Sequence, residues 1–180
     1  MKLTGPQIIS QLRDKLNLDV GRHLYAVLGS YSQLARFEQT DLAHASDPQG
    51  NPFPPPFNLN RELLARIGDD DLRHLVNVEA RRFNAVQRHL NHAFDQLLHD
   101  LLRQNHLIIL KQIELLFAYG LDLSVLRTRA SNQNHILLLL PGERRGERLV
   151  IFHEAAERFQ RAIPQNLLAD NHLWEITHDS

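Results

Sequence analysis

The chain has no cysteine among its 180 residues. That absence excludes disulfides and thiolate metal sites, and nothing in the sequence requires an oxidising compartment. Long apolar runs are missing too. The longest uninterrupted aliphatic stretch is Ile136 to Leu140, far short of the ~20 residues that cross a bilayer. Met1 to Asp14 carries polar residues throughout, so no secretory leader is expected there. Neither sign of charge dominates: Lys+Arg 20 against Asp+Glu 21 gives a formal net charge of -1. A global attraction to nucleic acid is therefore not expected, and only local basic patches remain to be weighed. The expectation is a cytoplasmic protein without membrane segments, a single domain over residues 1–180 that can bury a core unaided.

The patterns that are present belong to an alternating protein. Thr4 caps, and Pro6 opens, an amphipathic helix carrying Ile8, Ile9, Leu12 and Leu16. His23 to Leu28 is a compact apolar run that stops at Gly29, as a buried strand before a turn does. Ser30 or Ser32 is placed to cap a helix through Leu34, Phe37 and Leu42. Ser46 to Pro56 (SDPQGNPFPPP) must be a loop, because its prolines remove backbone donors and fix φ. Phe57 to Leu59 is a short candidate strand, with Asn60 as cap of the next helix. From Asp69 to Gln104 the pattern is helical, and Phe83, Val86, Leu90, Phe94, Leu97 and Leu101 make one stripe.

Leu107 to Leu110 and His135 to Leu140 follow as fully apolar strands, with a short helix over Leu121 to Arg127 between them. Continuous apolar strands separated by helices predict an α/β fold with a mostly parallel sheet flanked by helices. After Pro141, Gly142 to Arg148 (GERRGER) reads as a polar turn into a strand at Leu149 to Phe152. So short a return can form only a C-terminal antiparallel hairpin. Leu173 to Ile176 (LWEI) is expected as an edge strand.

Two strand ends carry the chemistry to be weighed. A phosphate-binding loop needs G-x-x-x-x-G-K-[ST] after its strand, so that backbone N–H groups cradle phosphates and a lysine neutralises them. From Gly29 the chain reads GSYSQLAR, which puts Leu34, Ala35 and Arg36 at the places of the second Gly, the Lys and the Ser/Thr. Arg36 is left as a candidate to meet an anion at the helix N-terminus; the other possibility is a plain strand-turn-helix. The other half of such a site holds magnesium through an acid at a strand end. Leu107 to Phe117 (LIILKQIELLF) offers Lys111 there, which repels a dication while protonated. Glu114 is the nearby carboxylate, a candidate either to polarise water or simply to face solvent.

The segments Phe57-Asn58-Leu59-Asn60-Arg61-Glu62-Leu63, LIILKQIELLF and the 121–142 stretch LDLSVLRTRASNQNHILLLLPG together resemble BrxF, the small P-loop component of BREX phage-defence systems. That family pairs an N-L-N-x-E-L segment with a strand reading roughly L-L-D-N-I-E-L-L-F and a later strand ending in a P-G turn. The likeness covers about residues 23 to 152. The tail is similar to BrxB, another small BREX protein, in a P-G turn followed by a strand and an aromatic–Arg segment. The resemblance implies a degenerate P-loop NTPase-like fold and a role in anti-phage defence. Partners would be phosphatase-like, methyltransferase-like or ATPase-like subunits. Because the phosphate loop is missing at Gly29 to Arg36 and Lys111 replaces the family's magnesium Asp, ATP binding does not carry over. The expected role is a non-enzymatic scaffold or adaptor with no catalytic residue and no cofactor. The alternatives are a nucleotide-binding, ATPase-like regulator using Arg36 and Glu114, and a nucleic-acid-binding module using Arg127, Arg129, Arg144 and Arg145.

Three further sets are candidates. On the long helix His92, Asp95 and His99 share the face opposite the apolar stripe, either as zinc ligands or as a wet surface, with Arg88 an unfavourable neighbour for a dication. Basic residues cluster at 81–88, at Arg127 and Arg129, and at Arg144, Arg145 and Arg148. They make either a phosphate-binding surface or solvated ends balanced by Glu143, Glu147 and Asp122. The aromatic residues Phe53 and Phe57, flanking a proline triplet, and Phe159 and Trp174 in the tail either anchor a partner or close the edges of the core.

Overall fold

The structure, a computed structural model, describes residues 1–146, 148–163 and 167–177; in its longest helix the side chains at 69–72, 74, 76, 78 and 80 are not described. Glu147, weighed above as a counter-charge, lies outside the described residues.

The elements follow one another as β1 (Lys2–Leu3), α1 (Gly5–Leu16), β2 (Leu24–Gly29), α2 (Tyr31–Thr40), β3 (Phe57–Asn58), α3 (Leu59–Ile67), α4 (Asp69–Gln104), β4 (Leu107–Lys111), α5 (Glu114–Ala118), α6 (Ser124–Arg129), β5 (His135–Arg145), β6 (Arg148–Ile151), β7 (Arg161–Ile163) and β8 (Leu173–Ile176). Six strands form a sheet in the order β1-β8-β2-β5-β4-β3, and every neighbouring pair is parallel. Both faces are covered, which is why β2, β4 and β5 are apolar at consecutive positions. Within those runs the side chains still alternate. Tyr25, Val27, Ile109, Leu137, Leu139 and Trp174 face α1 and α2, meeting Ile8, Leu12, Leu34 and Phe37. Ala26, Leu28, Ile108, Leu110, Leu138 and Leu140 face the other layer, packed with Leu63, Val86, Leu90, Phe94, Leu98, Leu116 and Leu126. No helix among the described residues is long and apolar enough to cross a membrane.

The α/β class, the parallel sheet with helices on both faces and the late antiparallel hairpin are as expected, but several local expectations need correction. The turn expected over Gly142 to Arg148 is shorter than that, because β5 runs through Pro141 and Gly142 to Arg145 and pairs antiparallel with β6, and β6 with β7. Pro141 stands where β5 leaves the parallel sheet, its last partner there being Gly29, so its missing N–H costs little of the ladder. Gly142 is required by crowding: a Cβ there would lie 2.7 Å from the Val150 carbonyl oxygen and 3.0 Å from the Ile151 Cα. The reversal itself follows Arg145, at Gly146 with φ +61.

β8 is not an edge. It lies between β1 and β2, with Leu173 and Trp174 buried, because the two-residue strand β1 covers its outer side. The cap of α3 is Asn58, whose side chain accepts from the Arg61 N–H at 3.0 Å, rather than Asn60. The long helix α4 changes direction at Arg82 (φ -138, ψ 44). After it Val86, Leu90, Phe94 and Leu97 are buried, whereas Phe83, beside the break, is 43% exposed and stacks on Tyr119.

Candidate functional site

The carboxyl ends of β2 and β4 lie on one edge of the sheet, the place where open α/β folds hold ligands. There α2 presents its N-terminus, a natural anion seat. Three of its donors are already engaged. Ser30 Oγ accepts from the Gln33 N–H at 3.1 Å, and Gln33 Oε1 accepts from the Ser30 N–H at 2.7 Å, a complete capping box. The Tyr31 N–H donates to Glu154 Oε1 at 3.2 Å, so a carboxylate from the β6–β7 connection sits where a phosphate would. Gly29 adds no space, since its missing Cβ would meet Ile176 Cγ2 at 2.5 Å.

The β4 end is tied down in the same way. Lys111 Nζ donates to Glu38 Oε1 at 2.5 Å, which neutralises the strand-end cation from within. Gln112 takes φ 53 and turns the chain. Its carbonyl accepts from the Asn60 N–H at 3.1 Å, and its side-chain oxygen accepts from Asn58 Nδ2. Asn60 Nδ2 donates to Glu114 Oε2 at 2.7 Å, while Asn60 Oδ1 accepts from the Leu115 N–H at 3.0 Å. Asn58 and Asn60 thus fasten β3 and the start of α3 to the turn after β4. Glu114 is one end of that fastening. Burial raises the Tyr31 hydroxyl pKa, and the nearby Glu114 and Glu154 carboxylates raise it further, so the edge is electronegative.

Arg36 is elsewhere. It borders a cleft of about 230 Å³ between α1 and α2, with Gly5, Thr40 and Asp41 around it, because the second turn of α2 faces α1. Of the three candidates Gly29, Arg36 and Glu114, Gly29 alone lies at the anion seat itself. The edge shows capping and fastening, with no nucleophile paired to a base among the described residues.

The histidine trio is not a metal site. Arg129 from α6 grips Asp95 with Nε to Oδ1 at 2.8 Å and Nη2 to Oδ2 at 2.8 Å, and its Nη1 lies 3.4 Å from His99 Nδ1. His92 Nε2 is 2.7 Å from Gln96 Nε2. A guanidinium stands where the dication would, and no cluster of His, Cys, Asp or Glu among the described residues could hold a metal. Arg144 contacts Asp170 and Glu175, both at 3.4 Å, and Arg145 meets Glu143 at 2.6 Å.

The aromatic residues divide. Trp174 is 1% exposed and stacks on Tyr25 at 5.6 Å, so it closes the core rather than an interface, as an interior strand requires. Phe53 is buried because its loop folds back, the Phe53 N–H donating to the Ala45 carbonyl at 3.0 Å. Phe57 is half-buried against the core. Phe159 alone of the four is open, at 53%, with the Arg158 guanidinium 4.7 Å from its ring centre.

At the opposite, amino edge the structure gathers residues that sequence reasoning did not single out. His23 and His135 precede the apolar runs of β2 and β5, and their rings stack at 4.3 Å. His23 Nδ1 lies 2.9 Å from the Tyr25 hydroxyl, and the His172 ring is 4.7 Å from the Tyr25 ring. His23 Nε2 and His135 Nδ1 are buried without a hydrogen-bond partner. Burial first, then the neighbouring His23 and His106, lower the His135 pKa to about 4. Two histidines immediately before the apolar runs of two adjacent buried strands were the available signal, since parallel register sets such positions side by side.

Comparison of the chain with protein-family models, curated proteins and solved structures found no match.

Proposed function

We propose that this protein is a non-enzymatic adaptor or scaffold subunit of a bacterial anti-phage defence complex of the BREX type, built on a P-loop-like sheet whose nucleotide seat is filled by its own side chains. The observation that carries the non-enzymatic part is the Glu154 carboxylate on the Tyr31 N–H, together with the Lys111–Glu38 pair at the neighbouring strand end. A polyphosphate would have to displace Glu154 and the Gln33 side chain and then lie beside Glu114, without a free strand-end cation. Each step is unfavourable in sign, since like charges repel and the N–H groups of Ser30, Tyr31 and Gln33 already have acceptors. The same facts speak against a nucleotide-binding regulator using Arg36 and Glu114. Arg144 and Arg145 carry internal counter-charges, and that lowers the appeal of a nucleic-acid module. The defence context rests on the N-L-N-R-E-L and LIILKQIELLF likeness. Phe159 with Arg158 is the exposed aromatic–cation pair best suited to anchor a larger defence subunit.

Two measurements test this. Calorimetry with magnesium ATP should give no saturable heat at millimolar nucleotide, and tight binding that persists in Lys111→Ala would overturn the filled-seat reading. Affinity purification from cells carrying the neighbouring defence genes should recover a phosphatase-like, methyltransferase-like or ATPase-like protein, with recovery reduced in Phe159→Ala. Failure with every neighbouring defence protein would count against the adaptor role.

A further inference from the structure

Beneath the 46–56 loop, far from the strand ends just described, lies a cavity of about 860 Å³, within the ~300–1,000 Å³ range of small-molecule sites. Its roof is held in place before anything binds. Arg13 Nε donates to the Ser46 carbonyl at 2.6 Å and Arg13 Nη2 to Ser46 Oγ at 2.5 Å. The Asp47 carboxylate accepts from the N–H groups of Gln49 and Asn51 at 2.9 and 2.8 Å and from Asn51 Nδ2 at 2.9 Å. The buried Phe53 pins the far end, and the prolines stiffen what lies between. An occupant would therefore lose little affinity to loop ordering.

The lining combines two kinds of surface. Leu16, Phe53, Pro54, Pro55 and Leu107 offer apolar and planar faces. Around them stand the side-chain amides of Gln49, Asn105 and Gln133, the imidazoles of His106 and His135, and the carboxylates of Asp19 and Asp47. The amides both donate and accept, and the Asp19 carboxylate accepts from an amino group, the Asp47 carboxylate being engaged by its own loop. No lysine or arginine is in the lining. His135, which lines the cavity, has its Nδ1 buried without a partner.

We propose that this cavity binds a nucleobase or nucleoside, a planar uncharged nitrogen heterocycle with amino and carbonyl groups, and discriminates against its phosphorylated forms. The flat apolar faces suit the ring, the amides and the Asp19 carboxylate suit its edge, and two carboxylates without a cation disfavour a phosphate.

The test is calorimetry and saturation-transfer NMR on the full chain at low salt, with adenosine, guanosine, cytidine and uridine and their 5′-monophosphates as probes. At least one nucleoside should bind saturably, its monophosphate ~fivefold or more weakly. Gln49→Ala with Gln133→Ala, both at exposed positions, should lower that affinity ~fivefold or more while leaving the melting temperature unchanged. Asp19→Asn should narrow the gap between nucleoside and monophosphate. Absence of saturable binding by every nucleoside at millimolar concentration would overturn the proposal. So would monophosphates binding as well as nucleosides, or an affinity untouched by the double glutamine variant.

Discussion

Acidification should destabilise this protein through His135. The His135 imidazole is 3% exposed, stacked on His23, and has a pKa lowered from 6.5 to about 4. The folded state therefore keeps it neutral while the unfolded chain takes up a proton at the ordinary value. Because the folded pKa lies below the unfolded one, stability is full above 6.5, falls as pH drops through the unfolded value, and stops falling near the folded value of about 4. The loss reaches about 2 kcal/mol near pH 5 and about 3 kcal/mol near pH 4.

The groups around the ring act in both directions. Lys15 lowers the His23 pKa and Asp19 raises it, with burial the larger cause and the net shift downward. His172 is lowered by burial, then by Lys15 and His23, against its hydrogen bond to the Leu24 carbonyl. His106 adds to the depression at His135, and Tyr25, whose pKa burial raises, stays uncharged. The imidazoles thus share one sign. Hydrogen bonds from Asn51 and from Ser124 hold the Asp47 and Asp122 carboxyls below the usual carboxylate range, so their contributions fade only in stronger acid. Urea unfolding followed from about pH 8 to pH 5 should show the loss, equivalent to ~4–8 °C in melting temperature for a chain of this size. The pH slope should shrink in His135→Leu, whatever that variant's absolute stability. A stability that is level across the window, or a slope unchanged in His135→Leu, would refute the reasoning.

Other outcomes follow from contacts described above. Gly142→Ala should cost ~1–3 kcal/mol in denaturant unfolding, because the atoms its Cβ would meet at 2.7 and 3.0 Å are backbone and cannot swing aside. Asn60→Ala leaves the half-buried Leu115 N–H and the Glu114 carboxylate without their partner and should cost ~1–3 kcal/mol by the same assay. Glu154→Ala should lower the Tyr31 pKa, read by ultraviolet titration against Tyr31→Phe, since Glu154 is one of the charges that raise it. Its effect on stability should stay below ~1 kcal/mol, as for other exposed helix-terminal carboxylates.

Much of the layered architecture was legible in the sequence because burial on both faces leaves a local mark. Leu107 to Leu110 and His135 to Leu140 read as interior strands, and Thr4, with Ser30 or Ser32, marked the helix starts by capping chemistry, Ser30 being the residue that caps α2. The failures occurred where the deciding partner is distant in sequence. Leu173 to Ile176 reads as an edge only until Lys2 and Leu3 arrive beside it. Gly142 to Arg148 reads as a turn by local rules, yet one strand can change sheets at its start because β2 ends opposite Pro141 and β6 passes close to Gly142.

The strand-end site follows the same logic more sharply. From Gly29 to Arg36 the local sequence gives a strand, a capping box and a helix, which is compatible with an anion site or with an ordinary turn. What decides between them is the acceptor delivered to the Tyr31 N–H, and that comes from Glu154, 123 residues later, on a connection whose placement depends on β5 having changed sheets. Lys111 is silent in the same way: a strand-end lysine repels magnesium but still attracts phosphate, and only Glu38, 73 residues earlier on α2, removes that attraction. Leu34 and Ala35 stand where a phosphate loop has its second Gly and its Lys, so the segment after Gly29 offers a phosphate no loop cradle. The internal carboxylates add a separate point: Glu154 already occupies the Tyr31 N–H and Glu38 pairs Lys111, so Ala35→Lys with Arg36→Thr should not by itself give nucleotide binding in calorimetry.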